Sequence, residues 1–166
     1  MNASSSAEER GMMRDAARRL LATEWPPEKA VQRAASAADV KAAWALFARQ
    51  GYAALGAGPD GGGLRELVIL MRELGRAHCP APMLAAWLVN RALDGQKDCE
   101  SLRAGIAAAS VVPAWSFGDQ SGDAGASDLR IEGRRMEGRV DFVEDTAIAT
   151  NLFIVSGGQL AVIERS

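Results

Sequence analysis

The sequence predicts an α+β fold: an N-terminal all-α helical domain over residues 1–104, then a small, incomplete antiparallel β domain over 105–166. Three observations carry this. Apolar residues recur at helical spacing up to about residue 104. Beyond it, short alternating or wholly apolar runs are separated by Gly, Ser and Asp. The chain closes on two apolar runs, Leu152–Val155 and Leu160–Ile163, joined through Gly157-Gly158, which is a hairpin signature.

The helices follow in order. Ser6 and Glu9 have capping-box spacing, and Met12, Met13, Ala16, Ala17, Leu20 and Leu21 then repeat on a helix expected to reach about Thr23. Trp25-Pro26-Pro27 ends it, because proline lacks an N–H and disfavours helix in the residue before it. A short segment over Glu28–Ala35 follows, then a helix over about Ala37–Gln50 capped by Ser36, with Gly51 at its C′ position. Val40, Trp44, Phe47 and Ala48 form its buried stripe. A glycine-loaded loop leads to a second patterned helix ending near His78, where Leu64, Leu67, Val68, Met71 and Leu74 mark the expected core face. Glycine in an exposed helix interior costs about 1 kcal/mol relative to alanine, so Gly75 signals either an ending turn or close approach by another backbone. Pro82 opens a further helix that stops at Asp94-Gly95, and KDCESLRA makes a shorter one.

After Gly105 the character changes. Ile106–Val112 reads as a buried strand, and Trp115–Asp128 as a loop. Leu129–Gly133 and Met136–Val143 read as half-buried strands. So few strands leave an edge that must be paired or covered, and the sheet reads as unfinished.

With 166 residues the chain can bury one real core, on the order of 70% of its unfolded surface. A net charge of −2 supplies no basic footprint, which argues against nucleic acid and anionic membrane partners. No run approaches the roughly 18 apolar residues of a membrane span, and MNASSSAEER lacks a signal-peptide pattern, so a cytoplasmic setting is expected. Cys79 and Cys99 lack metal-ligand spacing and are expected to be reduced structural thiols.

Individual motifs point away from local chemistry. Gly56-Ala57-Gly58-Pro59-Asp60-Gly61 matches G-x-G-x-x-G, but a dinucleotide fingerprint needs a preceding strand and an acid about twenty residues on. Here a helix precedes it and residue 81 is alanine, so a helix connection is expected. His78, the single histidine, lies at a helix end with no G-x-S-x-G elbow in the sequence. Glu66 and Glu73, among Arg65, Arg72 and Arg76, read as a solvated charged face. Asp141, Glu144 and Asp145 crowd a strand end, and of the four tryptophans Trp115 suits a flat ligand best.

The central stretch, Gly51-Tyr52, Pro59-Asp60, Gly61-Gly62-Gly63-Leu64 and Glu73-Leu74-Gly75-Arg76, resembles the N-terminal portion of the acyl-CoA dehydrogenase family. Met136-Glu-Gly-Arg-Val-Asp-Phe-Val-Glu144 is similar to a strand of its middle domain. The resemblance implies half of an FAD-dependent oxidoreductase that converts acyl-CoA thioesters to 2,3-enoyl products. Its partners would be acyl-CoA and either further copies of itself or a subunit bearing the C-terminal domain. Flavin-facing positions would fall at Ala114, Trp115, Phe142, Val143 and Glu144. The family's catalytic carboxylate belongs to a C-terminal helical bundle, so no catalytic residue is expected here and the chain should not catalyse alone. Ala114-Trp115 stands where the family has Thr-Glu, Val140 replaces a lysine, and Glu144 replaces Ser or Thr. These departures leave a second expectation: a non-catalytic relative that binds a partner subunit or an acyl chain.

Overall fold

The computed structural model describes residues 6–58, 61–116, 130–133, 135–140, 143–156 and 159–165. The fold class is α+β, and the caps form where local chemistry asks for them. Helix α1 (Ala7–Glu24) begins with a complete capping box: the Glu9 amide donates to Ser6 Oγ at 3.1 Å and the Ser6 amide to Glu9 Oε2 at 2.6 Å. Helix α2 (Pro27–Ala34) starts with proline at its first position, where no intrahelical N–H is needed. Between them Trp25 is buried, with the Arg33 guanidinium 4.3 Å from its ring centroid. Helix α3 (Ala37–Arg49) is capped by Ser36 and buries Val40, Trp44, Phe47 and Ala48, the stripe expected. Gly51 then takes the left-handed conformation, φ 80°, that lets the chain leave the helix.

Helix α4 (Leu64–Ala77) corrects the sequence reading. Its buried positions are Glu66, Leu67, Leu70, Glu73 and Leu74, whereas Leu64, Val68 and Met71 are 60%, 57% and 36% exposed. Glu73 is therefore not on a solvated face. It is 3% exposed and holds Arg18 of α1 bidentately, at 3.0 and 2.9 Å. The Arg18 guanidinium holds the Glu73 carboxyl below its ordinary value against the opposing pull of burial. Gly75 lies inside the helix, which continues to Ala77 and ends at His78 in the left-handed region, φ 52°.

Helix α5 (Met83–Ala92) buries Asn90, whose Nδ2 donates to the carbonyls of Ala53 and Leu55, both at 2.9 Å. That fastens the glycine loop, with its short 3-10 turn Tyr52–Ala54, to α5. Helix α6 (Glu100–Ala107) takes in Ile106, so the strand expected over Ile106–Val112 does not form. Ile106 is fully buried on a helix, and short apolar runs do not by themselves separate these two states.

Strands β1 (Pro113–Ser116), β4 (Asn151–Ser156) and β5 (Gln159–Glu164) form one sheet in the order β1-β4-β5. Strands β2 (Arg130–Glu132) and β3 (Arg135–Glu137) make a separate antiparallel hairpin. The closing hairpin forms as expected, and its register sets Ser156 opposite Gln159. The sheet is mixed rather than antiparallel, because β1 pairs with β4 in parallel, Pro113 opposite Asn151. A parallel pair needs a long crossover, and β2 and β3 lie within it. Trp115 is thus in a strand, not a loop; the expected strand from Met136 ends at Glu137; and Phe142 lies outside the described residues. Helices and sheet share one core, since Ile148 and Phe153 pack in the same cluster as Trp44, Phe47 and Met83.

Two outcomes follow. Replacing Asn90 by Ala leaves two inward carbonyls without their donor and should cost about 1–3 kcal/mol in urea unfolding. The Glu73 contribution is fully present above the carboxyl's unfolded value and is lost as pH falls through the lower folded one. The melting-temperature gap between the parent and Glu73→Gln should therefore be open near neutrality and close on acidification.

Candidate functional site

The expected flavin-facing residues are held by β1 and by the turn that precedes β4. Pro113 opens β1, a position where an edge strand tolerates the missing N–H. The N-terminal ends of β1 and β4 are locked together. The Val112 amide donates to Thr150 Oγ1 at 2.9 Å, the Thr150 amide returns to the Val112 carbonyl at 2.9 Å, and Thr150 Oγ1 donates to Asn151 Oδ1 at 2.8 Å. The turn over 144–148 closes on the Asp145 carbonyl, which accepts from the amides of Ile148 and Ala149 at 3.0 Å each. Arg165, just past β5, reaches back so that its guanidinium donates to the Thr146 and Ala149 carbonyls.

This geometry separates the expected residues. Ala114 is fully buried against β4, and its methyl group offers no polar atom. Trp115 is half-buried and pairs with Phe153, towards the C-terminal ends of the parallel strands. Val143, half-buried, and Glu144, exposed, precede β4 and so belong to the opposite end. Ala114 and Trp115 thus belong to β1, and Val143 and Glu144 to the segment before β4. Thr150, Asn151 and Arg165, which organise this end of the sheet, carry no sequence signal, because, the Thr150–Asn151 bond apart, their partners are backbone atoms set by the fold.

Asp145 sits at φ 59° in the turn, and its carboxyl is pushed up to about 6, first by burial and then by the neighbouring Glu144 charge. An acid whose folded value is raised stabilises the fold when protonated, and that stability is lost as pH rises from the ordinary value of 3.8 through about 6.

Three cavities lie among the described residues away from these positions. An open groove of about 500 Å³ runs between the β2–β3 turn and β5, lined by Arg135, Met136 and Gln159 to Ile163. A second, about 430 Å³, lies beside the glycine loop between Glu9, Arg10, Met13, Gly62 and Glu66. The third, about 140 Å³, lies at Trp25, Phe47 and Cys79. None of the three is lined by Ala114, Trp115, Val143 or Glu144. Burial pushes the Cys79 thiol up to about 11, which keeps it protonated and unreactive; both cysteines are unpaired. The glycine loop is a helix connection, as expected. It follows α3 and a 3-10 turn, and a Cβ on Gly56 would come within 2.9 Å of the Trp87 ring. Among the described residues no cluster of His, Cys, Asp and Glu forms a metal site, and no helix is long and apolar enough to cross a membrane.

Residues 7–94 match the model of the acyl-CoA dehydrogenase N-terminal domain. The chain belongs to the acyl-CoA dehydrogenase family. Two solved structures resemble this family member over almost its whole length. A steroid ACAD, Tcur3481-Tcur3483, superposes with a TM-score of 0.72 at 13% identity, covering 96% of this chain and 48% of that one. The ChsE4-ChsE5 complex from Mycobacterium tuberculosis gives 0.73 at 16% identity, covering 99% and 49%. At such identities the likeness concerns the fold. The chain spans about half the length of these neighbours. Among curated proteins none matches the sequence.

Asp145→Asn keeps a residue tolerant of the left-handed conformation while removing the titration. It should raise the melting temperature by about 2–4 °C above pH 6.5 and leave it unchanged near pH 3.5, as read by a pH series of thermal melts.

Proposed function

We propose that this chain is the N-terminal half of an FAD-dependent acyl-CoA dehydrogenase, whose catalytic carboxylate belongs to a C-terminal helical domain. The observation that carries this reading is the coverage: 99% of the chain superposes on 49% of a chain in a two-component complex. The division proposed is a helical unit to about residue 104 and a β unit beyond it. The first would wall the acyl pocket, and the second would offer the Trp115 indole as a flat apolar surface. When bound, FAD would accept the hydride of the oxidised thioester. The contribution of this chain would be binding, orientation and exclusion of water, with the carboxylate chemistry left to the C-terminal domain. A ring-bearing acyl group is the substrate class suggested by the steroid ACAD neighbour, and a cytoplasmic setting fits the two unpaired cysteines.

A second reading is favoured by one observation. The buried methyl group of Ala114 stands where the family places a hydroxyl, so the chain would serve as a non-catalytic module that binds a partner subunit or acyl chain.

The test is visible spectroscopy with added FAD, first on the chain alone and then on the chain co-purified with the helical half of a relative. The first reading expects no flavin band for the chain alone. In the complex it expects a band near 450 nm that bleaches on addition of an acyl-CoA, with straight-chain and steroid-side-chain thioesters compared. Stoichiometric flavin on the chain alone would overturn the division of labour. A colourless complex would sink the enzyme reading and leave the binding module.

A further inference from the structure

Helix α4 has two faces of different chemistry, and the outer one has no occupant among the described residues. Its two acids both point inward: Glu73 to Arg18, and Glu66 to its own helix start, where the carboxylate accepts the Gly63 amide at 2.7 Å. What remains outside is a row of Leu64, Val68, Met71 and Gly75, at the i, i+4, i+7 and i+11 spacing of a line along a helix. Beside that row, on the flank away from the core, run Arg65, Arg72 and Arg76, all exposed. None of the three makes an ion pair among the described residues. Arg72 and Arg76 are near enough to Glu73 to act on it, but both of its oxygens are taken by Arg18.

Gly75 supplies the second observation. A Cβ built there meets nothing within 4 Å, so no neighbour in this chain needs the glycine, nor does the backbone, since its φ is not positive. It lies on the exposed face of the last turn of α4, still within the helix, where alanine would suit the helix better than glycine. What glycine provides there is a flat place against which another backbone can lie, on the same line as the exposed Leu64, Val68 and Met71.

We infer that this face of α4 docks an α-helix of a different polypeptide, one with an apolar stripe flanked by Asp and Glu. The spacing of the exposed residues is that of helix-in-groove anchors, and the arginine row calls for acids opposite. A second copy of this chain is the wrong occupant. Two copies meeting through this face would set one arginine row against another, a like-charge arrangement that opposes association. The inference is independent of flavin or acyl-CoA chemistry and is tested without either.

The probes are two synthetic amphipathic helical peptides with the same apolar stripe, one flanked by Glu and one by Lys, titrated against the whole chain by fluorescence anisotropy. The Glu-flanked peptide should bind at least tenfold more tightly than the Lys-flanked one, and the preference should shrink in high salt. Arg65→Glu with Arg72→Glu should reverse the preference, and Val68→Glu should abolish binding, with thermal melts verifying that each variant is folded. Gly75→Ala is the sharpest variant, because its two effects have opposite sign: the chain alone should melt higher while peptide affinity falls about tenfold. Equal binding of both peptides, binding of neither, or affinity unmoved by Val68→Glu and Gly75→Ala would each overturn the inference. Self-association removed by Val68→Glu would assign the face to a second copy and overturn it as well.

Discussion

The helical half of this fold depends on how one carboxylate is buried. Glu73 sits at 3% exposure in the middle of α4, where an unpaired charge would cost several kcal/mol. Arg18 meets it with a two-pronged bond, and this ties α1 to α4 across 55 residues of chain. Once Glu73 faces inward, the rotation of α4 is decided. Leu67, Leu70 and Leu74 accompany it into the core, and Glu66 falls where its carboxylate can cap the start of the helix. The same rotation carries Leu64, Val68 and Met71 to the surface. The pair is partly wet, since the Arg18 side chain is 51% exposed, so its importance lies in orientation more than in raw strength.

The sheet is attached to this helical layer through a shared core, and polar contacts order each side of it. Asn90 holds the glycine loop against α5, and Gly56 lets that loop lie against Trp87. At the other end, Thr150 stitches the start of β4 to Val112, the residue before β1. Phe153 and Ile148 then continue the helical core into the sheet. A chain organised this way presents the ends of β1 and β4 as two distinct places. Trp115 belongs to one and the Asp145 turn to the other, and a ligand spanning both would have to lie along the strands.

Features settled by neighbours in sequence were legible in advance. The Ser6–Glu9 capping box, the Ser36 cap, the proline stop after α1, Gly51 after α3 and the closing hairpin depend on residues a few positions apart. What was not legible depends on distant partners. An apolar stripe drawn through Leu64, Leu67, Val68, Met71 and Leu74 differs from the true buried face by a rotation of about 100°, one residue of helix. Only the position of Arg18 reveals the difference. Likewise, nothing local tells β1 to pair in parallel with β4 and leave β2 and β3 to each other. Ile106 departs from the strand expectation because a short apolar run fits a buried helix end as well as a strand. For the expected flavin-facing positions, the strand register puts Ala114 and Trp115 in β1 and leaves Val143 and Glu144 before β4, a relation that no local pattern carries.

The charge pattern of α4 bears on why a chain with a net charge of −2 keeps three arginines in a row on one helix face. If those side chains served only solubility, mixed signs would do as well and would not raise the local potential. Turning both acids of the helix inward concentrates the positive charge outside. That potential acts within about 8 Å of the surface at physiological salt, close enough to orient an approaching acidic helix but too short to draw anions from afar. Gly75 sets the depth of contact and the arginines set its direction. One decision, burying Glu73, therefore produces both the internal order of the helical layer and the chemical character of its outer face.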